Sequence, residues 1–284
     1  MKETAMLSNI DPAAGLLDGK IIGVAGFGHL GSSVVSALLT RGFPRERLMI
    51  SCGGSAETLS RIREAGLEGR LAETSELLRR ADVAVLAARP QQLTRFRGMK
   101  TGRDTSILSF MAGVSLETLR GLFSAPLYRV MCSGPETITE GCGVGVSFPA
   151  EAVSRAVLEA AGLKLFELSC ESELDSFTVG ICIPPILLNT GIEAEEKNSA
   201  MLKMVRRYPV YRELSPWIDG IVASQAGKEN AASLANVSTK GGVTEAMVEA
   251  LKGGSSFYGA IEAGLARNIE LRDEMKRQVG SAAA

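Results

Sequence analysis

A glycine-rich segment near the N-terminus constrains the fold of this chain more than any other feature. Residues 20–31 read KIIGVAGFGHLG, in which a short apolar run meets the spacing Gly-x-Gly-x-x-Gly, and a helix-like run, Ser32–Thr40, follows. Gly26 permits a tight turn, Gly28 lets the backbone approach a phosphate, and Gly31 lets a helix pack closely on a strand. This order predicts a helix N-terminus that holds the pyrophosphate of a dinucleotide. A glycine-rich turn of another α/β fold is the alternative.

The composition excludes several other classes of protein. Of 284 residues, 45% are hydrophobic and 22% are charged, and the formal net charge is -1. This balance is typical of a globular protein and offers no basic excess to attract nucleic acid or an anionic membrane. No apolar stretch reaches the roughly 20 residues of a spanning helix, and residues 1–19 lack the regions of an export signal. We therefore predict a cytoplasmic protein that binds neither nucleic acid nor membrane, with residues 1–19 as a flexible lead-in.

The cysteines and the histidine limit the chemistry that the chain can perform. Five cysteines are scattered without a Cys-x-x-Cys pair, and an odd number without an export signal favours reduced thiols. The single histidine, His29, lies inside the glycine loop, where we interpret it as a side chain beside the cofactor and not as a catalytic group. With so few clustered ligands, we predict no metal site.

The first half of the chain alternates strand-like and helix-like segments. The expected strands are Ile21–Ala25, Leu48–Ser51, Val83–Ala87, Ser106–Phe110, Leu127–Met131, Gly143–Phe148 and Lys164–Glu167. Helical patterns lie between them at Ser32–Thr40, Ala56–Ala65, Ser75–Arg80, Ser115–Leu122 and Ala150–Ala161. Short buried strands that alternate with amphipathic helices are typical of a mostly parallel sheet. We therefore predict an α/β Rossmann-type, doubly wound domain over residues 20–170.

The second half of the chain shows helical spacing and no convincing strand. Its helix-like segments are Glu173–Val179, Ile186–Leu202, Trp217–Ala235, Thr244–Lys252 and Phe257–Val279. The last of them mixes apolar residues with alternating charges, as a helix packed on one face does. We therefore predict an all-α helical domain over residues 171–284, after a boundary near Leu168–Glu173.

The end of the second predicted strand bears on the choice of nicotinamide cofactor. In a Rossmann-type fold, a carboxylate at this point accepts hydrogen bonds from the ribose 2′-hydroxyl and repels a 2′-phosphate. Here residues 51–55 read SCGGS and contain no acid. The hydroxyls of Ser51 and Ser55 and the free glycine amides favour a phosphate, and hence NADPH over NADH. No arginine occupies this tip, since Arg61 and Arg63 fall inside the next predicted helix.

A second glycine motif provides a candidate substrate site. Residues 238–244 read STKGGVT and directly precede a helix-like run that begins at Glu245. Hydroxyls, glycines and free amides at a helix start can hold a carboxylate. The alternative is a helix cap with a glycine turn and no ligand. The local sequence favours neither interpretation over the other.

Four motifs, in order, give the chain a specific resemblance to a known family. Residues 81–91 read ADVAVLAARPQ, residues 112–119 read AGVSLETL, residues 129–131 read RVM, and residues 239–244 read TKGGVT. Together with the glycine loop, they are similar to the motifs of the pyrroline-5-carboxylate reductase family. The resemblance extends over nearly the whole chain. It implies a reductase that converts 1-pyrroline-5-carboxylate, a cyclic imine, to L-proline with NAD(P)H.

The resemblance also assigns residues to the site. It places the hydroxyl of Thr244 near the substrate nitrogen, as the catalytic group. The residues expected at the substrate carboxylate are Thr239, Lys240, Gly241, Gly242 and Val243. The expected cofactor-binding residues are Gly26, Phe27, Gly28, His29, Leu30, Gly31, Ser51, Cys52, Gly53, Thr74, Ala87, Ala88, Arg89, Pro90, Ala112 and Gly113. The family's helical domain forms an intertwined dimer, so we expect a homodimer or a higher oligomer that binds a small imino acid.

The chain departs from the family's motifs near the expected substrate pocket. After RVM, residues 132–134 read CSG in place of Pro-Asn-Thr, and Glu136 stands where a small apolar residue is usual. Lys240 replaces a proline, residues 180–186 read GICIPPI in place of S-G-S-G-P-A-Y, and Thr74 replaces an asparagine. These changes keep two alternatives open. One is a reductase of another amino-acid-derived imine, and the other is a degenerate protein that binds dinucleotide as a sensor or partner without chemistry.

Overall fold

The computed structural model describes residues 15–226 and 240–280 of the chain. Most of the predicted lead-in, residues 1–19, therefore lies outside the described residues, as does Thr239 of the predicted substrate site. Within the described ranges, no helix has both the length and the apolarity that crossing a bilayer requires.

A seven-stranded sheet, counted over the described residues, forms the first half of the fold. The strands are β1 (Ile22–Ala25), β2 (Leu48–Ser51), β3 (Val83–Leu86), β4 (Ser106–Ser109), β5 (Leu127–Cys132), β6 (Val144–Phe148) and β7 (Lys164–Leu165). Their order is β2-β1-β3-β4-β5-β6-β7, and neighbouring strands run parallel except β5 and β6. Each predicted strand is present, and the predicted Rossmann-type class is confirmed.

Helices occupy the connections between these strands. They are α1 (His29–Thr40), α2 (Ala56–Glu64), α3 (Thr74–Arg80), α4 (Leu116–Arg120), α5 (Pro135–Thr139) and α6 (Ala152–Ala160), with 3₁₀ segments at Arg45–Arg47, Glu68–Arg70 and Pro90–Phe96. The five predicted helices of this half are confirmed. Hydrophobic periodicity does not predict α5 or the Pro90–Phe96 segment, because both are short and begin at a proline.

Both faces of the sheet are covered, which explains why its strands read as continuous apolar runs. Alternate side chains of a strand point to opposite faces. Val24 and Val85 belong to an apolar cluster with residues of α1 and α6. Ala84 and Leu86 belong to another cluster, with residues of α3 and α4. The central strands β1 and β3 are therefore buried on both sides, as a doubly wound sheet requires.

Beyond β7, the described residues form helices only. These are α7 (Glu173–Gly180), α8 (Ile183–Asn189), α9 (Ala194–Arg207), α10 (Tyr211–Gln225), α11 (Val243–Lys252) and α12 (Phe257–Gly280). The predicted helical character is confirmed, but the single helix predicted over Ile186–Leu202 is wrong. The Thr190 hydroxyl donates to the Ile186 carbonyl at 2.7 Å, which satisfies a terminal group of α8. Thr190 then adopts extended angles, φ -128° and ψ 149°, so α8 ends there and α9 begins separately.

The last helix, α12, packs against both halves of the fold. Near its end, Met275 and Val279 belong to the apolar cluster on the second face of the sheet. Its middle lies against the loop after β4, where a Cβ added to Gly113 (φ +71°) would lie 2.9 Å from the Leu271 Cβ. Gly113 therefore permits an approach that a side chain would block. The division of the chain at residue 170 stays a prediction.

A buried ionic cluster joins the sheet to the helical half. Arg129 of β5 is 2% exposed and pairs with Glu171 at 3.1 Å and with Asp175 of α7 at 3.5 Å. Arg272 of α12 pairs with Asp175 at 2.6 Å. The Asn268 amide, also on α12, donates to Asp175 at 3.0 Å. Burial raises the pKa of the Asp175 carboxyl, and the two arginines act in the opposite direction.

We expect Arg129→Met to destabilise the fold strongly. The substitution leaves Glu171 and Asp175 with one cation fewer, and removing one partner of a buried ion pair costs about 3–5 kcal/mol. Urea unfolding followed by circular dichroism measures the change. Arg155→Met is the matched control, because the Arg155–Glu167 pair is largely exposed and such pairs contribute about 0–1 kcal/mol. Equal effects of the two substitutions would contradict a special role for the buried cluster.

Candidate active site

The glycine loop lies at the sheet edge where β1, β2 and β3 end together. Ala25, the last residue of β1, is in register with Ser51 of β2 and Leu86 of β3. The Gly26 amide donates to the Ser51 carbonyl at 2.9 Å. Since β2 and β3 lie on opposite sides of β1, the loop leaves the sheet at a topological switch point, where ligands of open α/β sheets bind.

The surroundings of each glycine in the loop explain why a glycine is present there. Gly26 adopts φ +108°, and an added Cβ would lie 2.6 Å from the backbone of Ala87 and Ala88. An added Cβ on Gly31 would lie 2.1 Å from the Gly26 carbonyl oxygen, so Gly31 lets α1 pack directly on the turn. An added Cβ on Gly28 would meet nothing within 4 Å. The space beside Gly28 is therefore open for a ligand.

The start of α1 has the properties of an anion site. Gly28 is the N-cap, and no side-chain cap hydrogen bond is made there. The first amides of an α-helix lack partners within the helix and carry the positive end of its dipole. The pyrophosphate of a nicotinamide dinucleotide therefore fits this helix end.

A pair of side chains stands at the outer end of the glycine loop. The Nε2 atom of His29 lies 2.8 Å from a guanidinium nitrogen of Arg61. The same guanidinium pairs with Glu57, one turn earlier in α2. The sequence places Arg61 well inside a helix, but tertiary packing carries its guanidinium to the loop. His29 therefore has a structural partner, which fits its interpretation as a non-catalytic side chain.

A first pocket, of about 170 Å³, opens beside the end of β2. The predicted cofactor-binding residues that line it are Gly26, Ser51, Cys52, Gly53, Thr74 and Ala88. Thr74 donates from its Oγ1 to the Ser51 Oγ at 3.1 Å. Other residues of its lining were not predicted and include Glu73, Gln92, Arg95, Phe96 and Met99. Most of these belong to the Pro90–Phe96 segment or follow it, and no periodicity in the sequence predicts that segment.

A second, larger cleft of about 800 Å³ extends from the glycine loop to the start of α11. The predicted residues that line it are His29, Leu30, Arg89, Pro90, Ala112, Lys240, Gly241, Gly242, Val243 and Thr244. The fold therefore brings the two glycine motifs, which are far apart in the sequence, to a single cleft. The departures from the family's motifs lie there too, since residues 132–136 and four of residues 181–185 form part of its wall.

Some predicted cofactor-binding residues line neither pocket. They are Phe27, Gly28, Gly31, Ala87 and Gly113. Gly31 and Gly113 are required for close packing, as their added Cβ atoms show. Phe27 is 2% exposed, and its side chain belongs to the apolar core under α1. Only the backbone of Phe27 is left for a cofactor, because its ring packs inside the protein.

The second glycine motif forms a turn at the start of α11. Gly241 adopts φ +72°, its amide donates to the Glu245 carboxylate at 2.5 Å, and its carbonyl accepts from Arg267 at 2.8 Å. The Gly241 amide is therefore occupied within the protein, in contrast to its predicted role as a donor to the substrate. Gly242 is the N-cap and makes no side-chain cap hydrogen bond. The amides of the first turn, which begins at Val243, are the donors that this helix end offers.

Thr244 is buried at the cleft wall, beside Cys182. It is 6% exposed. The Cys182 thiol donates to the Thr178 carbonyl at 3.2 Å. Burial raises the pKa of Cys182 to about 11, and the Thr244 hydroxyl acts in the opposite direction. Because the Cys182 proton is directed at Thr178, a hydrogen bond between these two side chains has Thr244 as its donor, and the oxygen lone pairs of Thr244 are left for a ligand.

Other polar groups of the cleft were not predicted from the motifs. Gln225 of α10 is 5% exposed, and its Oε1 has no hydrogen-bond partner among the described residues. Burial raises the pKa of Cys132 to about 12, which keeps this thiol neutral and unreactive. Over the described ranges, no three His, Cys, Asp or Glu side chains are grouped so that they could hold a metal ion.

These features define a class of protein. A glycine loop at the switch point, a helix end open to a pyrophosphate and a cleft that leads to a second helix end form the site of a Rossmann-type, nicotinamide-dependent oxidoreductase. Residues 21–113 match the family described as "NADP oxidoreductase coenzyme F420-dependent".

Comparisons over the whole chain point to one group of enzymes. The chain is 26% identical to pyrroline-5-carboxylate reductase 3 of Danio rerio over 274 residues, which cover 90% of this chain and 93% of the relative. A pyrroline-5-carboxylate reductase of Coxiella burnetii shares the fold, with a TM-score of 0.57 at 18% identity over 89% of this chain and 98% of the other. The pyrroline carboxylate reductase of Plasmodium falciparum, solved with NADP bound, gives 0.56 at 17% identity, with the same coverage. The chain is thus similar to pyrroline-5-carboxylate reductases over nearly its whole length, at low identity.

We expect alanine at Gly31 and at Gly28 to separate folding from cofactor binding. Gly31→Ala places a methyl group against the Gly26 carbonyl, and such overpacking typically costs about 1–3 kcal/mol, so the urea midpoint should fall. Gly28→Ala meets no protein atom, so stability should change by less than about 1 kcal/mol. NADPH binding, followed by nicotinamide fluorescence, should nevertheless weaken in Gly28→Ala. Unchanged binding there would contradict the placement of the pyrophosphate.

Proposed function

We propose that the chain is an NAD(P)H-dependent imine reductase whose default reaction converts 1-pyrroline-5-carboxylate to L-proline. The observation that carries the proposal is a single cleft between two helix N-termini. One is the start of α1 at the glycine loop, and the other is the start of α11, where Thr244 faces the cleft. The alignment with a pyrroline-5-carboxylate reductase over 90% of the chain supports the same reaction.

The start of α11 suits the carboxylate of an imino acid. Gly242 caps the helix without a side-chain hydrogen bond, so the amides of Val243 and Thr244 are available to carboxylate oxygens. Lys240 lines the same part of the cleft and adds a positive charge. Thr239, whose hydroxyl would complete this site, lies outside the described residues, and its role stays a prediction.

Thr244 is the group that we place at the substrate nitrogen. Reduced nicotinamide, when bound, supplies a hydride to the imine carbon. The C=N bond becomes a single bond and the proton of the protonated imine stays on nitrogen, so the hydride step requires no further acid from the protein. The Thr244 hydroxyl donates to Cys182, and its oxygen accepts the N–H of the imine. This hydrogen bond orients the C=N bond in the cleft.

We propose NADPH as the preferred cofactor. Three observations support the preference over NADH: β2 ends at Ser51 without a carboxylate, the matching family of residues 21–113 is described by NADP, and the Plasmodium falciparum relative was solved with NADP bound. A hydroxyl and glycine amides at this point suit a 2′-phosphate better than an acid would.

A reductase of a different amino-acid-derived imine is the second candidate. The observation that favours it is the presence of both Glu136 and Lys240 in the wall of the cleft, because opposite charges suit a polar substituent that 1-pyrroline-5-carboxylate lacks. A degenerate dinucleotide-binding sensor is the third candidate. The intact Gly-Gly-x-Thr motif at the start of α11, which lines the cleft, argues against it.

We further propose a homodimer or higher oligomer formed through the helical half, in the cytoplasm. Two large apolar side chains of that half remain exposed, Leu202 of α9 at 53% and Ile269 of α12 at 44%. Exposed apolar groups are typical of surfaces that another chain covers. The five free cysteines suit a reducing compartment.

The first test of the reaction is the oxidation of NADPH with 1-pyrroline-5-carboxylate. We expect turnover by the purified protein, and a fall in kcat of about 10²-fold in Thr244→Val, which keeps the shape but removes the acceptor oxygen. Thr244→Ser is the matched control and should retain most of the activity. NADPH binding without turnover of this imine or of a panel of cyclic imino acids would overturn the reductase proposal and favour the sensor.

Cys182 should act by positioning Thr244. We expect Cys182→Ala to lower kcat by up to about tenfold with little change in the KM for the imine, because Thr244 loses the acceptor that holds its proton. Cys182→Ser keeps an acceptor and should restore kcat. Since burial raises the pKa of Cys182 to about 11, the thiol is neutral at physiological pH and no thiolate should titrate in the pH–rate profile. An unchanged kcat in Cys182→Ala would rule out this positioning role.

A further inference from the structure

The first pocket, beside the end of β2, contains one arginine that the sequence did not place there. An added Cβ on Gly53 would lie 3.8 Å from a terminal nitrogen of Arg95. Arg95 is therefore close to the backbone just beyond β2, and it lines the pocket together with Ser51 and Cys52. This is the place where the adenosine ribose of a dinucleotide lies in a Rossmann-type fold. Residues 51–55 contain no arginine, and the Pro90–Phe96 segment supplies one to the same pocket.

The position of Arg95 is fixed by its neighbours in the Pro90–Phe96 segment. Leu93 and Phe96 are 1% and 4% exposed and belong to the apolar core on the second face of the sheet. The Phe96 ring also packs on Phe123, with ring centroids 6.1 Å apart. The backbone that carries Arg95 is therefore anchored, while its side chain remains on the pocket side.

The guanidinium of Arg95 is uncommitted, whereas the other nearby arginines are paired. Arg61 pairs with Glu57 and contacts His29, and Arg63 pairs with Glu68 at 3.3 Å. Arg95 forms no ion pair and no hydrogen bond within the part of the chain that the structure describes. An arginine without a partner at a pocket is available to an anionic ligand group.

The buried hydroxyl of Ser51 lines the same pocket. Ser51 is 3% exposed, and its Oγ accepts a hydrogen bond from Thr74 at 3.1 Å. Because the Ser51 oxygen is used as an acceptor there, its own proton is free to be donated to a ligand oxygen. Among the described residues that line the pocket, Arg95 is the one basic side chain and Glu73 the one acidic side chain.

We infer that Arg95 is the residue that selects NADPH over NADH, by pairing with the 2′-phosphate while Ser51 donates to the same group. The inference rests on the proposed function, since it assumes a nicotinamide dinucleotide in the site. Glu73 acts against the phosphate, because a carboxylate in the same pocket repels it and accepts hydrogen bonds from an unmodified ribose. The preference is thus set by two side chains of opposite charge in the same pocket.

The test uses one variant of Arg95 and one of Glu73, and it compares the binding of NADPH and NADH. Arg95→Gln should weaken NADPH by about ten- to a hundred-fold, as expected for loss of a charge-assisted hydrogen bond, and should leave NADH nearly unchanged. Glu73→Gln should strengthen NADPH and weaken NADH. Arg120→Gln is the matched control, because Arg120 is exposed on α4 and lines neither pocket. Dissociation constants from fluorescence titration give all of these values.

A second measurement keeps this inference separate from the identity of the substrate. Calorimetry with 2′-AMP and 5′-AMP tests the adenosine pocket without any imine, and Arg95→Gln should remove the tighter binding of 2′-AMP. Equal weakening of NADPH and NADH in Arg95→Gln would show that Arg95 contacts the adenine instead, and would overturn the inference. So would a wild-type protein that binds 2′-AMP no better than 5′-AMP. Failure of both cofactors to bind would instead refute the proposed function itself.

Discussion

The carboxylate of Asp175 is the point at which the sheet and the helical half are fixed to each other, and the shape of the cleft depends on it. Arg129 reaches it from β5, and Arg272 and Asn268 reach it from α12. Removing such charges from water is costly, so a cluster of this kind contributes geometry more than net stability. The same turns of α12 place Leu271 in the wall of the cleft and against Gly113. Since α11 packs along α12, the ionic cluster also positions the second helix end relative to the glycine loop.

The two helix N-termini offer the same kind of anion site, made of backbone amides. α1 begins at Gly28 and α11 begins at Gly242, and neither glycine has a side-chain cap. Partial charges of amides and helix dipoles are sufficient for a pyrophosphate or a carboxylate.

The sequence predicts the parts of the molecule that local rules determine. The seven strands are predicted by apolar runs, because a strand that is buried on both faces needs apolar residues throughout. The glycine loop is predicted by its glycine spacing, because positive φ angles favour glycine. The break between α8 and α9 depends on the Thr190 side chain, which competes with the helix at one point and leaves the periodicity intact. α10 begins at Tyr211 and continues through Pro216, earlier than the predicted start at Trp217, because a proline inside a helix resembles a boundary when only the sequence is read.

The sequence also predicts those parts of the candidate site that local rules determine, and it does not predict the rest. Residues that act through the backbone, such as Gly28 and Gly242, belong to motifs with fixed spacing. Arg95 and the Cys182 contact of Thr244 belong to no motif, since they reach the site from elements that only the tertiary structure brings near. The same argument applies to Gly241, whose amide appeared free in the sequence but is taken by Glu245 in the folded turn.

The division between backbone and side chains also explains where this chain departs from the motifs of the pyrroline-5-carboxylate reductase family. Both anion sites need glycine and a helix start, and those features are retained. The altered segments, residues 132–136 and 181–185, contribute side chains to the cleft wall and no part of either helix end. Under the proposed function, changes there alter the size, polarity and charge of the space beside the imine and leave both helix ends in place. The proposed reaction class then rests on the backbone of the site, and the choice among imines rests on the side chains of its wall.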